Sequence, residues 1–330
     1  MRKILITGAS GFVGSFLVEE ALRHDLEVYA GVRKTSSLKY LTDKRIKIFE
    51  LDFSQIEDLK RKMSQVAFDY VIHNAGIVKA NKKHDFFTYN TELTINFALV
   101  LQEIQPTLKK FVYISSAASY GPADVHPGEY VKESFVPKPI DTYGKSKLAA
   151  ENWLKEQDEF PYLIIRPTGV YGPRETEIFT FFKAFNNGLE GHIGRIPQKM
   201  AFIYVKDLVR IVLQATLSTF ENKAYFVSDG KAYPTQELGR LAMTILSKKP
   251  LVKINIPLGI VNIIAALGEG IGKLTGKMPA LNLEKFKILK SKNWQCDIAP
   301  LERDFGFKPS YSLEQGLRET LTWYVEKKWL

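Results

Sequence analysis

The stretch TGASGFVGS, residues 7–15, decides the fold. It follows the apolar run KILIT (3–7) and opens a helical pattern that lasts to Arg23. Gly8, Gly11 and Gly14 recur every third residue. Such glycines let a strand turn sharply into a helix and bring backbone N–H groups close to a pyrophosphate. The positive end of the helix attracts the same group. The position between first strand and first helix predicts a dinucleotide cradle of Gly8, Ser10, Gly11, Phe12, Val13 and Gly14.

Beyond the loop, short β-rich runs alternate with helical patterns. EVYAGV (27–32), RIKIFEL (45–51), DYVIHNAG (69–76), KKFVYISS (109–116) and YLIIRP (162–167) read as strands. Helical stretches fill 55–65, about 86–104 and about 143–156. Continuous apolar strands joined by helices predict a parallel sheet covered on both faces, an α/β, doubly wound Rossmann domain over residues 1–173. After YGPRE (171–175) helical segments dominate. Residues 174–330 read as a smaller, mainly helical substrate region, with short strands at FIYV (202–205) and AYFV (224–227) and some segments returning to the main sheet.

Bulk properties narrow the function. The 330 residues are 45% hydrophobic and 25% charged, ordinary for a globular protein. A single cysteine, Cys296, rules out an intrachain disulfide and suits a reducing compartment. No signal-peptide pattern opens the chain, so a cytoplasmic location is expected. The five histidines show no metal spacing, and no metal site is expected. Of the net +10 charge, residues 1–175 contribute 24 Lys and Arg against 22 Asp and Glu, and residues 176–330 contribute 22 against 14. That asymmetry reads either as a solvated basic face or as weak attraction of the C-terminal half to a membrane surface. Nothing resembles a nucleic-acid motif.

The end of the second strand bears on the cofactor. An acid there would hold the ribose 2′-hydroxyl of NAD and repel a 2′-phosphate. The sequence instead reads AGVRKTSS (30–37). Arg33 and Lys34 supply positive charge, and Ser36 a further donor, so NADP(H) is favoured over NAD(H). Asp52 is a candidate for the adenine edge, with Phe53 packing nearby.

Tyr143 and Lys147 are four residues apart and share a helix face. A nearby ammonium lowers a tyrosine pKa, preparing the phenol for proton transfer to a carbonyl as hydride arrives. The spacing recurs at Tyr40/Lys44 and Tyr324/Lys328. Only the middle pair follows the strand ending at Ser115–Ser116, at the sheet edge where ligands bind in this architecture.

With TGASGFVGS, VIHNAG, YNTELTIN, VYISSAASYGP, TYGKSKLAAE, IIRPTGVYGP and FIYVKDL in order, the chain resembles an extended short-chain dehydrogenase/reductase of the NAD(P)-dependent epimerase/dehydratase superfamily. The resemblance implies Ser116, Tyr143, Lys147 and Asn90 as catalytic residues. Ser115 becomes a neighbour near the nicotinamide or the sheet edge. Asn74, Ala75 and Gly76 would border the cofactor, and Pro167 and Tyr171 its nicotinamide and substrate side. A satisfied strand-end role is the simpler reading of His73. The family's helices at about 86–104 and 143–156 commonly form a dimer interface, which Phe97, Leu101, Leu148 and Trp153 would serve unless they pack on the sheet.

The branch is narrowed by what is missing. Dehydratases of the family carry an Asp-Glu pair where this chain has Ala117 and Ala118. Nucleotide-sugar enzymes commonly place an arginine where Met200 stands; Lys199 or Arg195 would have to substitute. The N-terminal stretch is most similar to the dihydroflavonol-reductase and 3β-hydroxysteroid-dehydrogenase branches. The expected activity is therefore hydride transfer between a nicotinamide and a secondary alcohol or ketone as small-molecule substrate. The alternatives are a nucleotide-sugar epimerase retaining NAD and a non-catalytic dinucleotide sensor. The apolar run 257–267 and Lys285, Lys287, Lys290 and Lys292 read as core packing beside a solvated face, with a lipid-facing lip as the alternative.

Overall fold

Strand β1 (Arg2–Thr7) sends Ile4 and Ile6 into one buried cluster and Leu5 into another, as the two-residue period of a strand requires. A strand apolar on both sides needs a helical layer on each. The computed structural model describes residues 1–194, 198–248, 252–276, 279 and 281–330. It supplies both layers. The strands are β2 (Leu26–Val32), β3 (Lys47–Glu50), β4 (Tyr70–His73), β5 (Lys110–Ile114) and β6 (Tyr162–Pro167). The helices over the same stretch are α1 (Phe12–Ala21), α2 (Ile56–Met63), α3 (Lys83–Phe87), α4 (Leu93–Ile104) and α5 (Thr142–Lys155).

The strand Lys223–Val227 joins them, and the seven lie in the order Lys223–Val227, β6, β5, β4, β1, β2, β3, all parallel. This is the doubly wound sheet expected from the sequence. Its order reverses between β1 and β4, which opens a crevice at the carboxyl ends of those strands. The helix Val205–Leu217 packs on α1, β5 and β6, so two segments beyond residue 173 belong to the main body. Short strands Gly169–Tyr171 and Phe202–Tyr204 pair beside it.

Two details depart from the sequence reading, and one of its open alternatives is decided. The helix expected over 86–104 is broken by a π-helical turn at Thr88–Glu92 between α3 and α4. Phe97 and Leu101 are wholly buried on the sheet and offer nothing to a partner, while Leu148 and Trp153 are half-buried. The apolar run after Pro257 is a surface helix, Leu258–Thr275, whose bulky side chains are exposed rather than packed in a core. Among the described residues no helix is long and apolar enough to cross a membrane.

Candidate active site

The glycine loop meets the end of β4 at backbone contact distance. A Cβ on Gly8, whose φ is +65°, would stand 2.8 Å from the Asn74 carbonyl oxygen and 2.9 Å from Ala75 N. Gly14 is tighter: a Cβ would lie 2.0 Å from the Gly8 carbonyl. Helix α1 starts at Gly11 with no side-chain cap and no acid in its first turn. Its leading N–H groups and positive dipole end therefore face the crevice unneutralised. Ser10, Phe12 and Val13 are half-buried around this opening. Backbone donors without a cap at a topological switch point fit a dinucleotide pyrophosphate.

At the second strand's end, Arg33 and Lys34 are exposed and make no ion pair among the described residues. The Arg33 amide donates to the Ser36 hydroxyl at 3.1 Å, so that hydroxyl shapes the turn. Asp52, exposed, accepts from Ser54 N at 2.9 Å and Ser54 Oγ at 2.6 Å. Phe53 packs its ring 4.9 Å from Phe97 and 5.5 Å from His73.

The acid–base residues converge one strand over. Helix α5 is capped by Asp141, whose carboxylate accepts from Gly144 N at 2.8 Å. Gly144 presses on the preceding loop: a Cβ there would lie 2.2 Å from the Ala118 carbonyl. This seats Tyr143 against Ser116, whose hydroxyl reaches the phenol and also accepts from Ala118 N at 3.2 Å. One turn on, Lys147 Nζ donates to the Ile114 carbonyl at 2.9 Å and lies 4.8 Å above the Tyr113 ring. A Cβ on Gly76 would stand 2.8 Å from Asn90 Oδ1 and 3.3 Å from Lys147 Nζ, which brings Gly76, Asn90 and Lys147 into one cluster.

Asn90 owes its place to the π-helical turn. Its Oδ1 accepts from Ile77 N at 2.8 Å, and its Nδ2 donates to the Ile77 carbonyl at 3.0 Å and to Ser146 Oγ at 3.1 Å. Ser146 Oγ in turn donates to the Tyr143 carbonyl at 2.8 Å. Asn90 thus ties the Gly76–Ile77 loop to the helix carrying Tyr143 and Lys147.

The electrostatics correct one expectation. Burial pushes the Tyr143 phenol up to about 12, and the hydrogen bond with Ser116 pulls it back only in part. Burial likewise pushes the Lys147 ammonium down to about 8, with Glu151 opposing. In this protein alone, desolvation sets the direction of the Tyr143 shift, and the group that opposes it is Ser116 rather than Lys147.

Of the two places open to Ser115, the structure shows the sheet edge: it directly follows β5, and its hydroxyl donates to Glu151 Oε1 at 2.5 Å. The Tyr171 side chain turns into the core. It is buried between Phe202 and Tyr204, with its hydroxyl 2.4 Å from where a Cβ on Gly316 would be. Pro167 closes β6 and is buried. His73 bridges Thr7 Oγ1 at 2.9 Å and Thr94 Oγ1 at 3.1 Å, and burial drives it down to about 3. It is a neutral core group. Met200, half-buried, pairs in a two-residue strand with Tyr233, and Lys199 is exposed. Arg195 lies outside the described residues.

Sequence reasoning missed the pair beneath the site. Glu151, one turn after Lys147, takes Arg166 Nε at 3.0 Å and Nη2 at 2.8 Å, and Ser119 Oγ at 2.8 Å; Glu151 and Arg166 are fully buried. The signal was legible: Arg166 is a charge inside the apolar strand YLIIRP, and such a charge needs a partner. Two hollows elsewhere, about 240 Å³ near Lys231 and Cys296 and about 470 Å³ along Arg318 and Trp323, contain none of these residues.

Comparison with known proteins agrees with this geometry. The sequence profile of the NAD dependent epimerase/dehydratase family matches residues 4–227. The chain is 24% identical to the sterol-4-alpha-carboxylate 3-dehydrogenase (decarboxylating) of Candida albicans, over 99% of this chain and 98% of that one. It is 27% identical to the UDP-glucose 4-epimerase of Vibrio cholerae, over 98% and 96%. Its fold is that of the Bacillus cereus UDP-glucuronic acid 4-epimerase solved in complex with NAD, with a TM-score of 0.76 and 21% identity over 98% and 99% of the two chains.

Proposed function

The chain belongs to the NAD dependent epimerase/dehydratase family, and from that premise we propose that it is an NAD(P)(H)-dependent oxidoreductase acting on a secondary alcohol or ketone. The observation that carries the proposal is the convergence of the Ser116 hydroxyl, the Tyr143 phenol and the Lys147 ammonium beside the glycine loop. Glycine-loop amides and the α1 N-terminus would hold the pyrophosphate, with Asn74, Ala75 and Gly76 lining the crevice. A nicotinamide bound there would supply or accept hydride. Tyr143 holds a proton at its Oη because burial keeps the phenol neutral well past physiological pH. Ser116 would orient the substrate oxygen against Tyr143, Lys147 would hold the nicotinamide ribose, and Asn90 fixes the Gly76–Ile77 loop opposite. Ala117 and Ala118 carry no acid, which argues against dehydration.

Within this reading NADP(H) is preferred, supported by Arg33 and Lys34 at the end of β2 and the lack of an acid there. Denaturing the purified protein and identifying released dinucleotide by mass spectrometry tests it. An empty protein, or one holding NADP(H), agrees; stoichiometric NAD favours a nucleotide-sugar epimerase. That second reading draws on the Vibrio cholerae relative, and the absence of an arginine at position 200 weighs against it. Tyr143→Phe should cut turnover by about 10²–10⁴-fold and leave dinucleotide affinity intact; full turnover would sink the mechanism. The reading extends to a cytoplasmic homodimer paired through α4 and α5, supported by exposed Leu99 on α4. Sedimentation equilibrium decides the pairing: a monomeric wild-type chain, or a Leu99→Glu variant that stays dimeric, counts against it.

A further inference from the structure

The helix Leu258–Thr275 is inverted relative to an ordinary surface helix. It packs on the protein through small or modest residues: Val261 and Ala265 are buried, and a Cβ on Gly268 would meet the Leu281 carbonyl at 2.3 Å. Its bulky aliphatics face out. Ile260, Ile263, Ile264, Leu267, Ile271 and Leu274 are 48–89% exposed. Their spacing of three and four makes one stripe, about 20 Å long at 1.5 Å per residue. A contiguous apolar surface of this kind marks an interaction site.

Position and charge identify what covers it. The neighbouring helix Leu283–Lys290 packs against this one and, with the residue two beyond its end, carries Lys285, Lys287, Lys290 and Lys292. All four are exposed, and none has an ion-pair partner among the described residues. Lysine is depleted from protein–protein interfaces, and aromatic residues, methionine and arginine are enriched there. This stripe is isoleucine and leucine alone beside lysines, the composition of a helix lying in the plane of an anionic bilayer surface. The side of the helix away from the stripe is tied to the candidate site. Glu269 on the apolar helix stands 3.7 Å from Lys83 Nζ, which pairs with Glu284 at 2.9 Å. Glu284 accepts from Thr142 N at 3.1 Å and from Thr142 Oγ1 at 2.8 Å, next to Tyr143.

We propose that the exposed stripe of helix Leu258–Thr275, flanked by the lysines of 285–292, docks this protein on anionic membrane surfaces. The inference rests on exposure and charge, independently of the redox reading.

The test is flotation of the full chain with vesicles of phosphatidylcholine alone and with vesicles containing about 30% phosphatidylserine, an anionic lipid that attracts lysine clusters. Binding to the anionic vesicles should exceed binding to neutral ones by roughly tenfold or more. Ile263→Asn/Leu267→Asn, at exposed positions, should weaken binding to anionic vesicles by about tenfold or more. Lys285→Glu/Lys287→Glu/Lys290→Glu should abolish the preference for phosphatidylserine. Circular dichroism melts confirm that each variant folds. The proposal is overturned if neither vesicle binds, or if the Asn variant binds like wild type. It is also overturned if that variant instead dissociates a wild-type dimer, since the stripe would then belong to a second copy.

Discussion

Replacing Glu151 by Ala should be among the most damaging single changes in the core. The substitution leaves the Arg166 guanidinium buried without its bidentate partner, at contacts now between 2.8 and 3.1 Å. Its Nη1 already lacks a hydrogen-bond partner. Breaking a buried ion pair from one side costs about 3–5 kcal/mol. Ser115 and Ser119 each lose an acceptor, adding about 1 kcal/mol apiece. Glu133, with Oε1 3.8 Å from Nη1, is the remaining counter-charge. Burial raises its carboxyl to about 7, so it ionises late and the deficit should be larger at pH 6 than at pH 8. Urea unfolding followed by circular dichroism and by fluorescence measures the cost. The double variant Glu151→Leu/Arg166→Met, which removes both charges, should be more stable than Glu151→Ala. A Glu151→Ala cost under about 1 kcal/mol, or a double variant less stable than the single, would refute the assignment of a buried charge pair.

Arg33→Ala should weaken NADPH binding by about tenfold or more, the loss of a charge-assisted contact, while sparing NADH. Equal losses in titrations with both would remove Arg33 from the 2′-phosphate. Lys147, pushed down to about 8 by burial, should lose its proton as pH rises through that value. The kcat/KM of the free enzyme should fall accordingly. Because its unfolded value is 10.5, the folded state binds fewer protons between pH 8 and 10.5, so the contribution of Lys147 to stability grows with pH across that window. Lys147→Met should abolish both dependences, and a pH profile flat from 7 to 9 in the wild-type enzyme would contradict the shift.

The glycine loop, the parallel sheet and the Tyr143/Lys147 face could be read from the sequence because each depends on local spacing: glycines at a strand–helix junction, apolar strand runs, a four-residue helical interval. What depended on which surfaces meet could not. Ser115 and Ser116 are adjacent and chemically identical, yet the strand's alternation sends one hydroxyl to Glu151 and leaves the other for Tyr143. The Tyr143 pKa follows from burial, a property of packing that residue spacing does not carry. Asn90 reaches Ile77 and Ser146 through a π-helical turn that no periodicity announces. The apolar run after Pro257 resembles a core segment in sequence. Only the tertiary structure decides that its small-residue face packs inward, because a close helix approach admits Ala265 and Gly268 and leaves the isoleucines and leucines outside.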